Sequence, residues 1–123
     1  MTLSLSLVPE FNHEAVTTRT FLERIPEDRL DWKPHPRSGS IAWLASHLAD
    51  IPSWTVQTLS GEQMDVAPGG QPLVPMPLAP SRSEILTRFD RNVHLAREAL
   101  ASASDADMTR TWSMLQDLSL IHI

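Results

Sequence analysis

Ile41-Ala42-Trp43-Leu44-Ala45-Ser46-His47-Leu48-Ala49-Asp50-Ile51-Pro52-Ser53-Trp54 is the stretch on which the fold turns. At steps of three and four, Leu44, His47, Leu48, Ile51 and Trp54 share one side, as in an amphipathic helix. That side is expected to face the core, with His47 in its middle. A polar ring among apolar side chains needs a hydrogen-bond partner or a metal. The helix is expected over residues 40–59, capped by Ser38 or Ser40 and ended at Ser60-Gly61. Pro52 lies inside it and opposes the carbonyl of Leu48, so a kink or local break is expected there.

Upstream, Val8, Phe11, Ala15, Thr18, Leu22 and Ile25 repeat at the same steps and predict a helix over residues 6–24. Pro9 then falls in its first turn, where a missing N–H is harmless, and Pro26 stops it. Residues 26–39 read as a loop, because Pro26, Pro34 and Pro36 bias their predecessors toward extended backbone. Downstream, residues 61–80 hold five prolines after Gly61 and little periodicity, which predicts an ordered crossover or a semi-rigid linker rather than a domain boundary. Twenty extended residues span roughly 60 Å, against about 30 Å for a twenty-residue helix. The crossover can therefore return the chain along the whole bundle, leaving the second and third helices parallel. The third helix is expected over residues 81–103, with Ser81 or Ser83 as cap and Glu84 placed for a capping box. Its stripe is Ile85, Phe89, Val93 (with Asn92 beside it), Ala96 and Leu100. Residues 101–107 read as an exit of small side chains, and residues 109–116 as a short strand or turn packed on the bundle.

The chain has 123 residues, 41% of them hydrophobic, which suits one compact domain. Its net charge of −5 and lack of a basic run argue against nucleic-acid binding by counterion release. There is no cysteine, which excludes disulfides, thiolate ligands and a cysteine nucleophile. No run is long enough to span a membrane, and Met1–Leu7 lack the marks of a signal peptide. The expectation is a soluble, cytoplasmic protein with an all-α fold.

Among the candidates for chemistry His47 leads. It reads either as a core histidine bonded to a carbonyl or carboxylate, or as a metal ligand; imidazole suits zinc and other late transition metals. A catalytic zinc-type site needs about three protein ligands and an open position. Asp50 is placed to orient the ring or join the sphere, and reads first as a solvated or outer-shell carboxylate. His35, between two prolines, reads as structural or near a site mouth. His13 reads as a surface group and His94 as a surface or interface group. Trp32, Trp43, Trp54 and Trp112 read as core or dimer-interface residues, and Glu10, Glu14, Glu23 and Glu27 as the solvated edge of the first helix. There is no nucleophile elbow and no phosphate-binding loop.

Glu10-Phe11-x-His13-Glu14, the run Arg24-Ile-Pro-Glu-Asp-Arg-Leu-Asp-Trp-Lys-Pro-His-Pro-Arg-Ser38, Trp43-Leu44-Ala45-x-His47-Leu48 and Trp112-Ser113-Met114-Leu115 resemble the DinB-like (YfiT-related) helical bundle family. The resemblance covers residues 7–117. It implies a four-helix bundle with a long crossover between helices two and three, a homodimer, and a divalent metal, nickel or zinc, held by three histidines. One ligand corresponds to His47; the other two come from a His-x-x-x-His step on the last helix. Relatives include thiol-dependent transferases, isomerases and metal-dependent hydrolases acting on small molecules.

The present chain departs from that pattern after Asp117, where no last helix and no His-x-x-x-His step follows. The expected domain is thus residues 1–117, a bundle lacking the fourth helix. Residues 118–123 match the translation of a transposase end sequence used in library preparation and are expected to be a non-native tail, so His122 carries no weight. The intact parent is expected to be a metal-dependent enzyme of hydrolase or thiol-dependent transferase type, with His47 as ligand and Asp50 and His35 as outer-shell groups. The alternative is a non-catalytic dimeric bundle with His47 as a structural core residue. For these 123 residues no tight metal binding is expected.

Overall fold

A computed structural model describes residues 2–121. At its centre lies α3 (Arg82–Ser102), capped by Ser81, whose hydroxyl accepts from the Glu84 N–H at 3.1 Å. Ile85, Phe89, Val93, Ala96 and Leu100 are buried, so the expected stripe is the one that packs. α1 (Leu3–Glu23) lies along one side of α3 and α2 (Ile41–Ser60) along the other. The first pair runs antiparallel, with links from Arg82 to Ile25 O, Arg19 to Asp90, Arg97 to Asn12 and Ser4 to Ala103 O. Along the second pair the links advance together, from Ser46 with Ala79 to Asp50 with Arg88, so α2 and α3 run parallel. The long crossover does what its length allowed.

α1 begins earlier than the periodicity suggested, which places Pro9 in the helix interior rather than in the first turn. Its start is held from afar. Asp105 Oδ1 accepts from the Leu3 N–H at 2.7 Å, and the buried Ser4 hydroxyl donates to Ala103 O at 2.9 Å. Asp105 belongs to α4 (Asp105–Thr109), a single turn closed by a full capping box between Ser104 and Asp107. Residues 101–107 are therefore more than an exit. α2 continues unbroken through Pro52. Pro52 withholds a donor from Leu48 O, while one residue on Ala49 O receives the Asn92 amide at 2.8 Å across the interface.

The fold is mostly helical, as expected, and adds a small sheet of three short strands in the order β1-β2-β3. β1 (Gln63–Asp65) pairs in parallel with β2 (Ser113–Gln116), and β2 pairs antiparallel with β3 (Ser119–Leu120). β2 falls in the segment read as a strand or turn. β1 is three residues long, too short for a two-residue period to register. β3 comes from the six residues expected to be a tail; His122 lies outside the described residues. Asp117 and Leu118 turn the chain with φ of 49° and 63°. That backbone suits a tight hairpin but is strained for leucine. The Asp65 carboxylate offsets this by accepting from the N–H groups of Leu118 (2.8 Å), Ala67 (2.9 Å) and Asp117 (3.0 Å). No helix among the described residues is long and apolar enough to cross a membrane.

Candidate functional site

The first turn of α2 is tied down by the loop before it. Ile41 N donates to Trp32 O at 3.1 Å, Ala42 N to Leu30 O at 2.9 Å, and Trp43 N to the Ser40 hydroxyl at 3.0 Å. Three amides that a helix start leaves without intrahelical partners are thus satisfied by residues of one loop. The backbone bonds run to two different loop residues, which holds the roll of the helix about its axis and so the direction in which His47 projects.

That roll turns most of the expected inward stripe of α2 outward, although Leu48 still packs against the core. The buried residues are Ala42, Ala45, Ser46 and Ala49, while Leu44 is 54% exposed and Trp54 50%. Small side chains let the backbone of α2 approach α3 closely enough for Asn92 to reach Ala49 O and for the Ser46 hydroxyl to take the Ala79 N–H at 2.9 Å. Bulky Trp43, Leu44, Ile51 and Trp54 would hold the helices apart, and they face outward. His47 is half-buried on that outer side. The Trp43 ring stacks on it with centroids 5.3 Å apart, and Trp54 meets it edge-on at 5.6 Å.

A groove of about 600 Å³ opens beside this aromatic row. α2 forms one wall with Trp43, His47, Asp50 and Trp54; the crossover forms another with residues 73–76 and Leu78; Met64, Val66, Trp112 and Met114 of the sheet region complete it. The crossover is stitched down where Val66 N donates to Leu115 O at 2.8 Å and Leu73 N to Val66 O at 3.1 Å. The tryptophans read as core or interface residues divide differently. Trp43, Trp54 and Trp112 line the groove, while Trp32 lines a separate hollow with Pro26, Arg29 and Ile41. Sequence reasoning missed Met64, Val66 and Met114. Their one signal was apolar side chains in segments with no helical stripe to absorb them.

Two of the predicted site residues come together. His47 and Asp50 line the same groove, but the Asp50 carboxylate faces Arg88, with Oδ2 3.5 Å from Nη1. Arg88 also donates to Pro77 O at 2.9 Å, so the pair ties α2, α3 and the crossover together. Among the described residues neither His47 ring nitrogen has a protein hydrogen bond. His35 is not brought to the groove. It sits in the exposed loop, where its Nδ1 accepts from Arg37 N at 3.1 Å. His13 and His94 are exposed, His94 lying 3.4 Å from Glu98. No group of three potential metal ligands occurs among the described residues. One free imidazole and one carboxylate already facing a guanidinium do not make a three-ligand centre.

The arrangement favours an apolar guest: aromatic faces, thioethers and aliphatic side chains, with one imidazole able to donate or accept a proton. No curated protein and no solved structure matches the chain. A family profile does match, over residues 10–117, a span that takes in the capping loop, the aromatic row on α2, the crossover and β2. On that match, and with the helical core described above, the chain belongs to the DinB superfamily.

Proposed function

We propose that the protein binds an apolar small molecule in the groove beside His47. The observation that carries this reading is the groove itself, about 600 Å³ and walled by three tryptophans, within the size range of small-molecule sites. The test is Nile red, an uncharged dye whose emission rises on leaving water. Saturable enhancement is expected with the wild-type chain. Thr58→Trp, which puts a ring at an exposed position on the wall, is expected to weaken it at least tenfold. Equal binding by the two proteins goes against the groove as the site.

A second reading follows from the free imidazole on the groove wall: a divalent-metal-dependent enzyme, of hydrolase or thiol-dependent transferase type, using nickel or zinc. It requires at least two donors besides His47, supplied from outside the described residues or by a second copy of the chain. Exposed Leu3, Leu5, Leu7 and Phe21 on α1 support a homodimer. Calorimetric titration of nickel and zinc into the 123-residue chain is expected to give no tight stoichiometric binding. One equivalent bound tightly by wild type and not by His47→Ala would move the reading to the metal enzyme.

A further inference from the structure

Among the described residues Trp112 Nε1 is sealed from solvent and has no hydrogen-bond partner, yet its ring belongs to the wall of the groove. A buried donor left unpaired costs about 1–3 kcal/mol, and native structures hold few. The groove has no unanswered charge to set against it, because Asp50, its one carboxylate, faces Arg88. A cationic guest therefore finds no free counter-ion, and no Lys or Arg lines the wall to answer an anionic one. What the Trp112 donor lacks is an acceptor.

Resting on the reading of the groove as a small-molecule site, we infer that its ligand is an uncharged molecule whose apolar body carries a carbonyl-type oxygen, and that this oxygen takes the Trp112 Nε1–H. Met64 and Met114 line the same wall. Their unbranched side chains have three rotatable bonds and can yield as the oxygen enters. The aromatic faces of Trp43 and Trp54 then hold the body of the molecule. The indole N–H distinguishes guests that differ by one oxygen, since a guest without an acceptor leaves the donor unpaired.

The matched probes are 2-acetylnaphthalene and 2-ethylnaphthalene, alike in size and differing in the carbonyl. Wild type is expected to bind the ketone about tenfold more tightly by calorimetry. Trp112→Phe keeps an aromatic ring but removes the donor, and is expected to bind both probes alike. In wild type, the indole cross-peak of Trp112, assigned by removing the other three tryptophans in turn, is expected to move downfield with the ketone and not with the hydrocarbon. This readout does not depend on the Trp112→Phe protein folding. Equal binding of both probes by wild type, or an unmoved Trp112 cross-peak, overturns the inference while leaving the groove reading standing. Binding of neither probe overturns both. A trimethylammonium naphthalene that binds more tightly than the ketone also overturns it, in favour of cation capture by the ring faces.

Discussion

A Cβ added to Gly39 would lie 2.5 Å from Trp43 Cε3 and 2.9 Å from Cδ2, so this glycine is the space into which the indole fits. Gly39→Ala is expected to push the indole off His47. Because Trp43 is half-exposed and can yield, the loss of stability should be only about 1 kcal/mol. The sensitive measurement is the His47 ring-proton shifts, which the stacked indole displaces by its ring current; unchanged shifts would show that the stack does not depend on Gly39. Asn92 acts at the same scale but inside the core. Its amide bond to Ala49 O lies in the turn next to Pro52, so Asn92→Ala removes a buried partner and is expected to destabilise by about 1–3 kcal/mol in urea unfolding.

At the scale of elements, α2 carries two stripes at similar spacing, one of large side chains and one of small. Hydrophobic periodicity finds the large one, because it weighs apolar size. Packing selected Ala42, Ala45, Ser46 and Ala49, because the closeness of two backbones depends on what lies between them. Ala49→Leu, at a position with no exposure, is expected to destabilise by about 1–3 kcal/mol. Leu44→Ala, on the outer face, should stay within about 0.5 kcal/mol. The opposite ranking in urea midpoints would restore the inward-facing large stripe. α3 was legible for the converse reason: its bulky residues and its buried ones are largely the same residues, and Ser81 marks its start. Of the sheet only β2 was, in a segment read as a strand or turn; its pairing joins Gln63 to Ser113, and no local pattern announces so distant a contact. His47 stood out at once as an oddity, but the groove around it depends on that hidden sheet. The sheet also titrates. The Asp65 carboxyl is held below its ordinary value of 3.8, first by the Leu118 N–H and then, against some desolvation, by those of Ala67 and Asp117. A carboxyl with a lowered folded pKa adds stability above its unfolded pKa and loses it as pH falls through the folded one. Asp65→Asn should therefore flatten the loss of hairpin order below about pH 3.8, read from the Asp117 and Leu118 amide resonances. An acid response matching wild type would take Asp65 out of the account.

At the scale of the whole molecule, among the described residues α3 is the only long helix in extensive contact with both of the others, and the crossover must be fastened to it for the groove to keep a wall. Arg88 does the fastening. Its side chain is 8% exposed, and it faces Asp50 on α2 while donating to Pro77 O on the crossover. Removing it strands a carboxylate that is only 17% exposed and releases the backbone that carries residues 73–76. Breaking such a pair from one side costs about 3–5 kcal/mol when burial is complete; the residual exposure of Asp50 places Arg88→Met at the lower end of that range. The distinctive consequence is local. Thermolysin cleaves before large apolar residues, and Leu73, Val74, Met76 and Leu78 stand exposed along the crossover. Arg88→Met is expected to be cut there faster than wild type at a denaturant concentration where both remain folded, and to bind Nile red more weakly. Pairing it with Asp50→Leu removes the stranded charge but not the loosened crossover. The double variant should therefore regain stability without regaining resistance to cleavage. If stability and resistance return together, Arg88 matters to the fold only as the counter-ion of Asp50, and its bond to Pro77 O does not hold the wall.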